Sequence, residues 1–100
     1  MIKSDNEKSK SYLGFAIKAN KIVYGLDNIL KYRKRIHLLI ECETSGRGIS
    51  KNLKLYSEQK CITLLKADNL EKLLSKENVK AVGILDKNLA KAIVENYNKK

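Results

Sequence analysis

The chain has 100 residues, 43% of them hydrophobic, and 21 basic against 11 acidic side chains give a formal charge of +10. This length predicts one domain over residues 1–100 with a real core, and the charge favours a polyanion, nucleic acid first and an anionic membrane surface second. No apolar run approaches the ~20 residues that span a bilayer, and Met1 to Ser11 is polar and mixed in charge, unlike a secretory leader.

A cytoplasmic protein without a membrane segment is therefore expected. Arg33, Arg35 and Arg47 are the arginines; the other basic residues are lysines. A lysine-rich composition also follows from an AT-rich genome, so charge alone does not mark a site.

Residues 1–8 read as a flexible tail. Ser9 or Ser11 can start a helix running to about Ala19, with Leu13, Ala16, Ile17 and Asn20 along one side and Lys10, Lys18 and Lys21 elsewhere. Lys21 to Tyr24 is a short strand, and Gly25 turns the chain into a second helix. There Leu26, Ile29 and Leu30 fall at i, i+3 and i+4, one apolar stripe. Asp27, Asn28 and Lys31 neighbour one another on the other side. Free backbone N–H groups at this helix start could meet an anion. The same spacing also describes an ordinary exposed Asp–Lys pair, worth a few tenths of a kcal/mol.

The second helix ends in the basic run Lys31-Tyr32-Arg33-Lys34-Arg35. Ile36 to Cys42 is nearly all apolar, the pattern of a strand buried on both faces. Thr44 or Ser45 can cap a third helix, whose stripe is Ile49, Leu53 and Tyr56. Cys61 to Leu65 is the next buried strand. Asp68 caps a short fourth helix carrying Leu70, Leu73 and Leu74. Ser75 to Asn78 is a polar loop, and Val79 to Leu85 the last strand. Asp86 caps the final helix, with Leu89, Ala90, Ile93, Val94 and Tyr97 on its apolar side. Alternation of strands and helices predicts an α/β protein, a three-layer α-β-α sandwich with helices on both faces of a four-stranded mixed sheet.

Cys42 and Cys61 lie in apolar runs and read as buried free thiols on strands. With His37 they are too few for a zinc site. The phosphate-binding motifs GxGxxG and GxxxxGK[ST] are absent, as is a nucleophile–base set. No enzymatic activity, cofactor or metal is expected.

Two segments carry a resemblance, Leu13-Gly14-Phe15-Ala16-Ile17-Lys18-Ala19-Asn20-Lys21-Ile22-Val23-Tyr24-Gly25 and Val82-Gly83-Ile84-Leu85-Asp86-Lys87-Asn88-Leu89-Ala90. In order and spacing, from about Tyr12 to Tyr97, the chain resembles the kink-turn RNA-binding ribosomal-protein family, the L-seven-Ae and L-thirty-e group, and within it the YlxQ-like bacterial branch. In that family the reading helix carries Gly-x-Asn-Glu-x-x-Lys and approaches the sheared G·A pairs of a kink-turn. Gly25 and Lys31 match this pattern, while Asp27 stands where Asn is usual and Asn28 where Glu is usual. Carboxylate and amide have exchanged places, and both can accept from guanine N1–H or N2–H₂. A second family contact comes from the loop before the last strand, here Ser75-Lys76-Glu77-Asn78-Val79.

The resemblance implies an RNA-binding protein of ribosomal type, monomeric, with Gly25 allowing close backbone approach and Asp27 and Asn28 contacting guanine edges. Lys31, Lys18, Lys21 and Lys76 would meet phosphates. The alternative is a ribosome-associated protein-interaction adaptor with only non-specific RNA affinity.

Overall fold

The computed structural model describes residues 1–98; Lys99 and Lys100 of the expected domain lie outside the described residues. The elements run α1 (Glu7–Lys18), β1 (Ile22–Tyr24), α2 (Leu26–Lys31), β2 (Leu38–Cys42), α3 (Arg47–Lys60), β3 (Thr63–Ala67), α4 (Leu70–Leu74), β4 (Ala81–Ile84) and α5 (Lys87–Asn98). The four strands form one sheet in the order β1-β4-β2-β3. β4 is antiparallel to β1 and to β2, whereas β2 and β3 are parallel. The expected mixed sheet with helices on both faces is what the chain adopts.

Alternating side chains of the strands divide the core into two layers. Leu38, Ile40, Cys42, Val82 and Ile84 pack against α1, α4 and α5 through Leu13, Leu70, Leu73 and Ile93. Leu39 and Ala81 face the other way, onto Ile29 of α2 and Leu53 of α3. Every residue of β2 is buried, as its apolar run predicted.

Gly83 lies in β4 beneath the second layer. A Cβ there would sit 3.0 Å from Ile36 Cγ2 and 3.7 Å from Ile29 Cγ1. The missing side chain lets α2 and the segment after it settle onto the sheet.

Several local expectations are corrected. Residues 1–8 are docked rather than a free tail. Ile2 is 3% exposed and bridges Ala67 beside β3, its N–H donating to the Lys66 carbonyl at 2.7 Å. Burial of this side chain outweighs the polar character of its neighbours. Asn6, not Ser9 or Ser11, caps α1, accepting from Ser9 N–H at 3.0 Å. Ser9 is buried, and its Oγ accepts from Asn96 of α5 at 3.2 Å.

Asp68 does not cap α4; its Oδ1 accepts from Ser4 N–H at 2.6 Å, and Asn69 takes the cap. Gly46 replaces Thr44 or Ser45 at the start of α3. Cys42 is a buried thiol on β2, but Cys61 is exposed and left-handed, at φ 55°, where α3 stops. Leu30 is 47% exposed, because six residues of helix bury only Ile29 fully. Asp86 caps α5 as expected, accepting from Asn88 and Leu89 N–H at 2.8 and 3.0 Å.

Replacing Gly83 with alanine pushes against a fully packed Ile36, and overpacking of this kind costs about 1–3 kcal/mol. Urea unfolding of Gly83→Ala is expected to show that loss. An unchanged midpoint would mean that Ile36 moves aside freely.

Candidate functional site

β1, β2 and β3 point the same way, so their carboxyl ends share one rim of the sheet with the loop that enters β4. Such a rim is where open α/β sheets present their ligand-facing loops. Three segments meet there: Gly25 with the start of α2, residues 43–47 leading into α3, and residues 75–80 leading into β4.

Gly25 makes the first turn possible. Its φ of 84° and ψ of 151° belong to a region essentially reserved for glycine. Its N–H donates to Ala81 O at 2.8 Å, pinning the start of α2 to the start of β4. Gly46 has nearly the same conformation, φ 87° and ψ 164°. Neither α2 nor α3 has a side-chain cap.

Asp27, Asn28 and Lys31 are all exposed. Asn28 Nδ2 donates to the Tyr24 carbonyl at 2.8 Å, so its Oδ1 remains an acceptor. Among the described residues the ion pair within 4 Å is Lys80–Glu71, and Asp27 and Lys31 do not join each other.

The 75–80 loop comes to the same place. Lys76 Nζ lies 4.1 Å from the centroid of the Tyr24 ring, within cation–π range. Two segments expected separately from the sequence, the α2 start and the loop before β4, are thus in contact through Tyr24. Lys18 and Lys21 are not part of this group. They precede β1, whose three extended residues span about 10 Å before Gly25 is reached. Lys31 stands at the far end of α2, one turn beyond Asp27.

Glu71 holds the loop in shape. Its Oε2 accepts from Asn78 N–H, and its Oε1 lies 3.2 Å from Lys80 Nζ. Its carbonyl accepts from Lys76 N–H at 3.1 Å. Ser75 and Asn78 are both left-handed, at φ 54° and 60°. The Asn78 hydrogen bond, and then the Lys80 contact, keep the Glu71 carboxyl below the usual glutamate range.

Glu41 is a second anchor. Although only 1% exposed, it accepts from Ser45 Oγ at 3.0 Å and Ser50 Oγ at 3.4 Å, tying the 43–47 turn to β2. Beside it burial raises the Cys42 thiol, but hydrogen bonds involving Thr44 and Leu70 and the charge of Lys80 bring it below the ordinary value. Sequence reasoning overlooked Tyr24, Glu41 and Glu71. A lone Glu inside the apolar run 38–42, followed by serines, was a usable signal for Glu41.

No family model matches the sequence, and no curated protein is found similar to it. Among solved structures, a protein of unknown function from Bacillus halodurans C matches with a TM-score of 0.81. The match covers 88% of this chain and 94% of that one at 20% identity. This is a likeness of fold. Among the described residues no helix is long and apolar enough to cross a membrane.

Chemically, the rim offers acceptors at Asp27 and Asn28, an aromatic ring, and cations at Lys76 and Lys80. Acids are mixed among them: Glu43 and Glu77 are exposed at the same end. The rim is suited to reading hydrogen-bond donors more than to holding many phosphates.

Because the folded pKa of Glu71 is depressed, its hold on the loop is complete above the unfolded value of about 4.3 and is lost as pH falls through the folded value. The Asn78 amide NMR shift should therefore titrate with a midpoint below ~4.3, and this transition should vanish in Glu71→Gln. A midpoint at or above the ordinary value would remove Glu71 as the loop's anchor.

Proposed function

We propose that this protein binds RNA in the manner of the ribosomal kink-turn group, using the rim made by the α2 start and the Ser75–Asn78 loop. One observation carries the reading: Lys76 lies over Tyr24, so the two segments that the family resemblance singles out form a continuous surface. In this reading Asp27 and Asn28 accept from guanine N1–H and N2–H₂. Gly25 admits the RNA backbone close to the chain. Lys76 and Lys31 neutralise phosphates on either side of the reading residues.

A kink-turn suits such a surface because the kink opens a major groove that side chains otherwise cannot enter in A-form RNA. The carboxylate–amide exchange at Asp27 and Asn28 keeps the number of acceptors while moving the charge about 100° around the helix. Lys18 and Lys21, at the opposite end of β1, would touch only RNA that continues past the rim. The partner is a folded RNA of ribosomal or related type, met in the cytoplasm by a monomer.

The exposed Leu30 and Leu55, at 47% and 49%, favour a second reading, a ribosome-associated adaptor with weak general RNA affinity.

Binding to a kink-turn RNA at ~0.15 M salt, where exposed charges are screened beyond about 8 Å, tests the proposal. The control is the same RNA with Watson–Crick pairs in place of G·A. A clear preference for the kinked RNA is expected; equal, weak binding would leave the adaptor reading. Asn28→Ala should lose ~1–3 kcal/mol of that preference, on the scale of a base-edge contact in DNA. Lys31→Ala should lower the salt slope by about one, and an unchanged slope would exclude Lys31 from the phosphate contacts.

A further inference from the structure

The pole opposite the rim carries a second cluster. There Tyr32, Arg33, Lys34 and Arg35, between α2 and β2, face Tyr56 and Lys60 at the end of α3. They enclose an open cleft of about 260 Å³ with Ile36 and Ile62 among its lining. Both isoleucines are buried. The five residues of β2 separate this cleft from the rim by about 15 Å.

Three features define what the cleft takes. First, four cations line it, and among the described residues no carboxylate does. Second, two tyrosine rings line it; each is half-buried and packs on the α2/α3-side core. Such packing holds the rings in place before any ligand arrives. Third, α3 ends there, and the exposed carbonyls of a helix end normally repel anions. Arg35 answers this by donating from its guanidinium to Lys60 O at 3.3 Å. Arg33, Lys34 and Lys60 are exposed and have no ion-pair partner among the described residues.

From this geometry we infer that the cleft is a second nucleic-acid site, one that takes a single-stranded RNA segment by stacking a base on Tyr56 or Tyr32 and placing its phosphates on Arg33, Lys34 and Lys60. Aromatic rings interleaved with cations are the general means of holding single strands without reading sequence. A bilayer surface fits less well, because the rings are recessed in a cleft and do not protrude. Arg35 is a positioning residue that neutralises the α3 end. Apart from Lys31, which precedes Tyr32 at the end of α2, this site shares no residue with the rim, so the protein can hold a folded RNA at one pole and a flanking single strand at the other.

Fluorescence anisotropy with labelled oligouridine of about eight nucleotides tests this directly, a length within the range one small domain covers. The variant Arg33→Gln/Lys34→Gln should bind at least about tenfold more weakly, and its salt slope should fall by about 1.4, two single-strand phosphates at ~0.7 each. Tyr56→Leu should weaken binding about fivefold or more, on the scale of one stacked base, while Tyr56→Phe stays close to wild type. The rim variant Asn28→Ala/Lys76→Gln should bind the oligonucleotide as wild type does. Arg33 and Lys34 are exposed, so their variant keeps the fold even if Tyr56→Leu does not. Unchanged affinity and slope in Arg33→Gln/Lys34→Gln would overturn the proposal. So would loss of binding in the rim variant alone, or binding to phosphatidylserine vesicles with none to oligouridine. Failure of the kink-turn preference would leave this result unaffected.

Discussion

Strand β4 runs against both of its neighbours, and the layout of the molecule depends on that insertion. Because it is antiparallel to β1 and β2, those two strands share a direction, and β3, parallel to β2, runs the same way, so the loops at their carboxyl ends converge with the loop entering β4. The insertion also needs a strand thin enough to be covered closely. Gly83 supplies that thinness, with Ile36 and Ile29 lying over it. A single backbone bond, Gly25 N–H to Ala81 O, then fixes where α2 begins relative to β4. The rim is a product of sheet order more than of any individual loop.

Burial leaves a direct imprint on a sequence, and that is why the layers were legible. The run at 38–42, apolar but for Glu41, and the stripes Leu13–Ala16 and Ala90–Ile93 follow from which faces meet the core. Caps were less legible, because a polar side chain satisfies whichever backbone group the chain path brings near it. Asp68 lies next to the N-terminal segment and takes Ser4, so Asn69 serves α4 instead. Ser9 is drawn between α1 and α5. Cys61 sat in an apolar run, yet it ends a helix in a left-handed turn. For the candidate site, Gly25–Lys31 and 75–79 could be named as segments, but their contact through Tyr24 depends on pairing across the sheet. Lys21 is near Gly25 in sequence and removed from it in space, since an extended strand lies between them.

The charge of the chain is unevenly distributed. At the rim, Lys76 and Lys80 share the surface with Asp27, Glu43, Glu71 and Glu77, so the local field is mixed. At the opposite pole, Arg33, Lys34, Arg35 and Lys60 line one cleft, and no carboxylate is among its lining residues. A mixed surface favours discrimination between partners, and a one-sign surface favours capture and orientation over distance. Net charge, read from composition alone, averages over this difference.

The docked N-terminal segment bears on how the edge of the sheet is protected. Ile2 and Ser4 find their partners at Lys66 to Asp68, and Asn6 and Ser9 find theirs at Asn96. These side-chain and backbone contacts span 64 to 90 positions of sequence. Contacts of such large sequence separation are slow to form. Ile2 takes up the Lys66 carbonyl and the Asp68 N–H beside Ala67, so this end of the exposed β3 edge has no free backbone groups to offer a strand of a neighbouring chain.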